Sequence, residues 1–346
     1  MTTRHPSAYP QLVFSDDDVT FFTIGDDAFF PGVTGLVNSL RLLGHTQRIV
    51  IADCGFTEVQ RALLRPHATL VPLSREDVKN PQQYKAFAYL LKPRGIVAIV
   101  DSDIVVTHSL DGILASAREG KIGVFPDPED HRWFAQWQDI FALVGPPRRQ
   151  TYVNSGFVVF SISHWPALLE RWWHACEKIF PNPTIREGAA RDSPTSQSDQ
   201  DALNALLMSE VPPGAVAFQP KDAMVFRWSF EDVRVEDERA LRCTFAGTRV
   251  AALHAVAGPK PWQNAARREA SPRNAYVRIL RRVLVGNDVA VRLPWDATPC
   301  WLRRGVVGKL SLEAHGAVRS VRAFLPRDTG IVAGARRLMG RSSRPG

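Results

Sequence analysis

The run GIVAIV at positions 95–100, followed at once by Asp101-Ser102-Asp103 and then by IVV, constrains the fold more than any other stretch of the chain. An apolar run rich in β-branched residues has no polar face to give to water. The strand it forms is therefore buried on both sides, as an inner strand of a parallel sheet is. Runs of similar character recur at 19–25 (VTFFTIG), 48–53 (RIVIAD), 68–73 (ATLVPL), 121–126 (KIGVFP), 151–161 (TYVNSGFVVFS) and 249–255 (RVAALHA). Helical segments are expected between them at 33–44, ending on Gly44, at 57–64 with Thr57 as N-cap, at 81–91, at 163–180 with Ser163 as cap, and at 199–207. DDAFFPG (26–32) reads as a loop, and TIREGAARDSPTSQS (184–198) as a mobile one. Strand and helix alternating at this spacing predict an α/β fold with a mostly parallel sheet covered by helices on both faces. Ligands bind such sheets beyond the carboxyl ends of the strands, where Asp26, Asp53 and Asp101 all fall.

Charge divides the chain in two. The net charge of +8 conceals 17 basic against 5 acidic residues from Gln263 onward, and 26 against 30 before it. A nucleic-acid binder would carry its basic character more uniformly, so the first 262 residues are expected to form one unit, a domain over 19–262 after an N-terminal extension (1–18), and the basic region (263–346) another. Four scattered cysteines, with no CxxC pair, make neither a disulfide scaffold nor a zinc knuckle. With no secretory leader and no apolar stretch near ~20 residues, the expectation is a cytoplasmic protein, peripheral at most on the inner face of the membrane.

Two carboxylates one residue apart at the mouth of a buried strand can both offer oxygen to a divalent cation. Elsewhere the same spacing, at Asp16/Asp18 and Asp199/Asp201, is as well explained by solvated turns; Asp101 and Asp103 differ because apolar runs enclose them, and two like charges buried together call for a cation. In HAVAGPKPW (254–262), His254 can complete a mixed oxygen and nitrogen shell, Gly258 lets backbone approach a phosphate, and Lys260 supplies a point charge; a strand-end histidine before a proline-stiffened turn is the plainer reading. SDQDALN (198–204) opens a helix with Asp199 and Gln200, which capping by Ser198 or Asp199 also explains.

Taken together these segments resemble, in order, the retaining glycosyltransferases of family 8, which include bacterial lipopolysaccharide galactosyl- and glucosyltransferases and glycogenin. The resemblance runs over about residues 19 to 262: FFTIGDDAFFPGVTGLVNSL, YKAFAYLL, IVAIVDSDIVV, YVNSGFVVFSI, SDQDALN and HAVAGPKPW. It implies a GT-A fold and a metal-dependent, retaining transfer of a hexose from a UDP-sugar, UDP-galactose or UDP-glucose, to a glycan or glycolipid hydroxyl. By the same resemblance Asp101, Asp103 and His254 hold Mn²⁺ or Mg²⁺. Lys85, Ser102, Gly258 and Lys260 meet the diphosphate, Asp26 the uracil or ribose, and Asn154, Asp199 and Gln200 the donor sugar. Asp199 and Gln200 are the candidate catalytic pair, with attack by one of them and same-face attack by the acceptor both open. Three positions depart from the family: Ala257 stands where glycine is common, Ala28 where some members have a polar residue, and Ser155 where alanine is frequent.

Trp133, Phe134 and Trp137, beside the acidic DPED (127–130), suit an acceptor sugar or a loop packed on the sheet. In the basic region Tyr276, Ile279, Leu280, Val283 and Leu284 recur at helical spacing opposite Arg278, Arg281 and Arg282. With the Arg-rich segments at 301–310, 315–325 and 334–341, this suits either an anionic membrane surface or a helical extension packed on the core, with a mobile tail from about 329. Two other classes share some features: a non-catalytic sugar-nucleotide or glycan-binding relative, and a glycoside hydrolase, which would need its two carboxylates on opposite sides of the scissile bond.

Overall fold

The computed structural model describes residues 12–73, 81–179, 193–263, 271–294, 298–303 and a few positions between 306 and 314. In chain order the elements are β1 (Val19–Gly25), α1 (Phe30–Leu42), β2 (Arg48–Asp53), α2 (Glu58–Leu64), β3 (Thr69–Pro72), a 3-10 helix (Pro81–Leu91), β4 (Ile96–Val100), β5 (Ile104–Val106), α3 (Asp111–Arg118), β6 (Ile122–Pro126), α4 (Trp137–Ile140) and β7 (Val153–Ser161). There follow α5 (Leu168–Ile179), α6 (Asp199–Ser209), β8 (Val216–Phe218), β9 (Met224–Phe226), β10 (Arg234–Asp237), β11 (Arg242–Phe245), β12 (Thr248–Arg249), β13 (Ala252–His254) and α7 (Ala275–Val285).

The main sheet has the order β3-β2-β1-β4-β7-β6-β8. All its strands run parallel except β7, which is antiparallel to both neighbours. Because β7 is reversed, its first residues lie at the same edge as the last residues of β4 and β6. Two smaller sheets flank this edge, β5-β13-β9 and the antiparallel β10-β11-β12. Apolar residues of β1, β2, β4, β6 and β7 divide between two cores, one on each face of the sheet. β4 is buried along its whole length, as its apolar run demands.

Two helix starts differ from the sequence reading. α1 begins at Phe30 rather than 33, because Pro31 falls in the first turn, where a missing N–H costs no helical bond. α5 begins at Leu168 rather than 163, and the Ser163 hydroxyl bonds Ser161 instead of capping it. Thr57 does cap α2, in a capping box with Gln60. The reading of 184–198 as a mobile loop falls mostly outside the described residues; 193–198 form turns.

α7 answers the membrane question for its own length. Tyr276, Ile279, Leu280, Val283 and Leu284 are buried in a core shared with β5, β9 and β13, each side chain contributing about 2 kcal/mol of burial. Arg278 pairs with Glu238, Arg282 with Asp288, and Arg281 donates to the Arg303 carbonyl. The apolar stripe is thus core rather than lipid-facing surface. Asn38 of α1 clamps this segment: its Nδ2 donates to the carbonyls of Val283 and Val291 at 2.7 Å, and its Oδ1 accepts from Val291 N–H. Arg-rich 315–325, 334–341 and the tail from 329 lie outside the described residues, as do residues 1–11 of the 1–18 extension. Among the described residues no helix is long and apolar enough to cross a membrane. The four cysteines are free thiols, three of them buried.

Candidate active site

Asp101 follows β4 and Asp103 precedes β5, so the chain makes a tight turn through Ser102 with both carboxylates at the sheet edge. β13 pairs with β5 so that His254 lies opposite Ile104. That register brings the imidazole Nε2 to 3.2 Å from Asp103 Oδ1 and 3.5 Å from Asp101 Oδ2. One ligand atom from each of the three lies within 4.8 Å of the others. Two carboxylate oxygens and an imidazole nitrogen at this spacing are the donor set of a hard divalent cation. Gly156 makes the approach possible: a Cβ there would run into the His254 ring and lie 2.9 Å from Asp101 Oδ2. The residues therefore fit a metal ion.

Two lysines and a histidine face the carboxylates. Lys85, delivered by the 3-10 helix, sets its Nζ 2.9 Å from Asp101 and 3.1 Å from Asp199. Lys260 places its Nζ 2.6 Å from Asp103 and also donates to the Ala255 carbonyl. Burial works against the charged forms of both aspartates of the pair, yet Lys85 holds Asp101, and His254 with Lys260 holds Asp103, below the usual carboxylate range. Burial likewise opposes the imidazolium, but Asp103 and Asp101 outweigh it and raise His254. Asp199 differs: burial pushes its carboxyl up, and Lys85 and Ser155 only partly offset this. Two aspartates joined by one ammonium are thereby tuned in opposite directions, as sites that divide labour between carboxylates tend to be.

The amides of Asn154 and Gln200 are fixed by the same two kinds of partner. Each donates to Asp127 Oδ2, at 2.9 and 3.1 Å, and each oxygen accepts a β7 backbone N–H, from Gly156 and Ser155. Ser155 also gives its hydroxyl to Asp199 at 2.7 Å and receives Lys85 at 3.0 Å. Sequence reasoning missed Asp127. It ends the apolar run of β6 as Asp101 ends that of β4, and the same strand-end argument would have found it. Ser155, in the sequence only a departure from alanine, joins Lys85 to the Asp199 carboxylate.

The turn after β13 is held from outside. Ala257 and Gly258 both have positive φ, 53° and 54°, so the left-handed stretch begins on a residue with a Cβ. Arg227 donates to the carbonyls of Ala257 and Pro259, both at 2.6 Å, a brace the sequence did not reveal. Trp262 Nε1 bonds the Ala28 carbonyl, tying this turn to the one after β1. There Asp26 Oδ1 caps Phe29 N–H. Asp53, by contrast, is used structurally, accepting from Gly55 and Phe56 N–H and pairing with Arg61. Ser102 is buried between the two carboxylates.

The aromatic acceptor reading needs correction at Trp137. Its side chain is 0% exposed, stacked on Tyr152, with Nε1 on the Pro194 carbonyl, so it belongs to the core. Trp133 and Phe134 are half-buried, with Arg149 and Arg132 over their rings. A different aromatic stands at the site's rim. Trp228, 64% exposed, follows β9 and stacks on Phe226 at 5.7 Å and 13°, and the Phe226 ring lies 5.8 Å from that of His254.

A crystal structure of the galactosyltransferase LgtC in complex with donor and acceptor sugar analogs matches this chain with a TM-score of 0.53 at 15% identity, over 80% of this chain and 98% of that one. An active-site mutant of LgtC matches at 0.49 and 15%, over 71% and 90%, and the apo WbbM bifunctional glycosyltransferase at 0.48 and 15%, over 77% and 50%. No protein-family model and no curated protein sequence matches the chain. The architecture is the expected α/β GT-A fold, with a central, predominantly parallel sheet flanked by helices.

Proposed function

We propose that this protein is a metal-dependent, retaining glycosyltransferase that moves a hexose from a UDP-sugar, with galactose or glucose as the first candidates, to a hydroxyl of a glycan or glycolipid. The observation that carries this reading is the convergence of Asp101, Asp103, His254, Lys85, Lys260, Asp199 and Gln200 on one edge of a GT-A sheet. The likeness to a galactosyltransferase bound to donor and acceptor sugar analogs agrees with it.

Asp101, Asp103 and His254 would hold Mn²⁺ or Mg²⁺, which when bound stabilises the negative charge developing on the leaving diphosphate. Lys260 and the backbone at Gly258 offer a point charge and a close approach to the same phosphates. Asp26 lies at the neighbouring strand end for the nucleoside. Lys85 joins the diphosphate side to the sugar side, because one ammonium touches both Asp101 and Asp199. Asp127 holds Asn154 and Gln200 in a single amide orientation, presenting fixed polar groups to the hexose. Asp101 and Asp103 converge on one imidazole, which does not suit a hydrolase that needs opposed carboxylates. A purely binding relative would not need every charged member of the set. The basic segments beyond residue 303 suit an anionic membrane surface bearing a lipid-linked acceptor.

The test is release of UDP from a panel of UDP-sugars with and without Mn²⁺. Metal-dependent release from one donor is expected; no turnover with any donor, and no donor-induced thermal shift, would overturn the transferase reading. Trp228 gives a separate prediction about the acceptor. Its exposed ring suits the apolar face of a sugar, so Trp228→Ala should raise the acceptor KM about tenfold while leaving acceptor-independent donor hydrolysis within twofold. An unchanged acceptor KM would assign the ring to another purpose.

A further inference from the structure

We propose that Tyr276 is a positioning residue for the metal-binding turn, and that α7 and the 3-10 turn Cys300–Leu302 hold that turn and the Lys260 turn from behind. The inference rests on the metal reading of Asp101, Asp103 and His254. The Asp103 carbonyl accepts two hydrogen bonds, from Ala255 N–H at 3.1 Å and from the Tyr276 hydroxyl at 2.9 Å. The first belongs to the register of β5 on β13. The second comes from a helix 173 residues away in sequence. A donor on the main-chain carbonyl of a ligand residue fixes its peptide plane and hence the direction in which its carboxylate leaves the backbone. Groups that orient metal ligands in this way contribute to affinity without touching the ion.

Tyr276 is itself located on every side. It is 0% exposed, its ring stacks on Phe230 at 5.0 Å and 25°, and the neighbouring Ala275 N–H donates to the Phe230 carbonyl. Asn274 caps α7 through Val277 N–H, and Asn38 anchors its far end to α1. The 3-10 turn reaches the opposite side of the site, where Trp301 Nε1 donates to the Pro261 carbonyl at 3.1 Å, next to Lys260. Two hydrogen bonds, one from each element, therefore set the backbone on both sides of the Asp103–Lys260 pair. A helix whose sequence suits a membrane surface equally well is built into the site.

The test uses the full chain and three proteins: wild type, Tyr276→Phe, and Val283→Ala, which loosens α7 against the core without reaching Asp103. Mn²⁺ affinity is measured by titration of the free-ion electron paramagnetic resonance signal, with melting temperature alongside. Tyr276→Phe is expected to weaken Mn²⁺ binding about tenfold at a small loss of melting temperature, since Ala255 N–H still satisfies the carbonyl. Val283→Ala is expected to lose more melting temperature and to keep Mn²⁺ affinity within twofold. Equal weakening in both variants would make the effect general loosening and overturn the proposal, as would an unchanged affinity in Tyr276→Phe. Wild type that binds no Mn²⁺ would overturn the metal reading itself, and the proposal with it.

Discussion

Asp103→Asn is expected to lower Mn²⁺-dependent UDP release about a thousandfold, on the order of 4 kcal/mol of transition-state stabilisation. Asparagine keeps the volume of the side chain and one oxygen. It removes the negative charge that His254 faces at 3.2 Å and Lys260 at 2.6 Å. Two consequences follow from that geometry. The metal loses an anionic ligand, and His254 and Lys260 lose a buried partner, so the melting temperature drops by a few degrees. Initial rates at saturating donor and Mn²⁺, with a melting curve of the same sample, separate the two. A variant that kept more than a tenth of the wild-type rate, still metal-dependent, would move the ion away from the Asp101–Asp103 turn.

A single methyl group at Gly156 should be nearly as damaging. The Cβ of Gly156→Ala would collide with the His254 ring and lie 2.8 Å from Asn154 Oδ1 and 2.9 Å from Asp101 Oδ2. The strand cannot retreat, because Asp101 N–H is bonded to the Gly156 carbonyl at 2.8 Å and β7 is paired on both sides. The imidazole must move, and the donor set opens. A loss of about 100-fold in UDP release is expected, with a stability cost of about 1–3 kcal/mol for overpacking. Gly123→Ala on β6 supplies the control: its Cβ would lie 2.5 Å from Ile113 Cγ2 of α3, so it should destabilise similarly while keeping metal-dependent turnover. Equal losses of activity in both variants would mean that Gly156 matters only for packing.

Much of this arrangement is written locally. Strand-end aspartates are legible because an apolar run that stops at a carboxylate can be read along one segment, and β1, β2, β4, β7 and α6 fall where their patterns put them. What could not be read is which partner each pattern meets. Trp137 and Trp228 have the same side chain in polar surroundings, yet one is core and the other rim, because burial depends on elements far away in sequence. The stripe of α7 announces a buried face without saying whether lipid or α1 covers it; Asn38, 245 residues upstream of Val283, decides that. Asp127 is not singled out by the acidic DPED around it, because its role as acceptor for two amides is set by β7 and α6. Ser155 stands out in the sequence only as a departure from alanine, while its effect comes from a hydroxyl between two charges.

The reversed strand β7 gives the site unequal halves in time as well as in space. Its nine residues are buried throughout and bonded to β4 and β6, which is the kind of backbone whose amides exchange with solvent only when the whole domain opens. Asn154, Ser155 and Gly156 hang from this doubly paired strand, so the pocket proposed for the sugar is expected to keep its shape through ordinary fluctuations. Lys260 comes instead from a turn beyond the three-residue strand β13, braced by side chains rather than by a long ladder. Local opening there is cheaper, so on the proposed reading the phosphate side of the site can loosen and re-form many times without disturbing the residues proposed for the sugar.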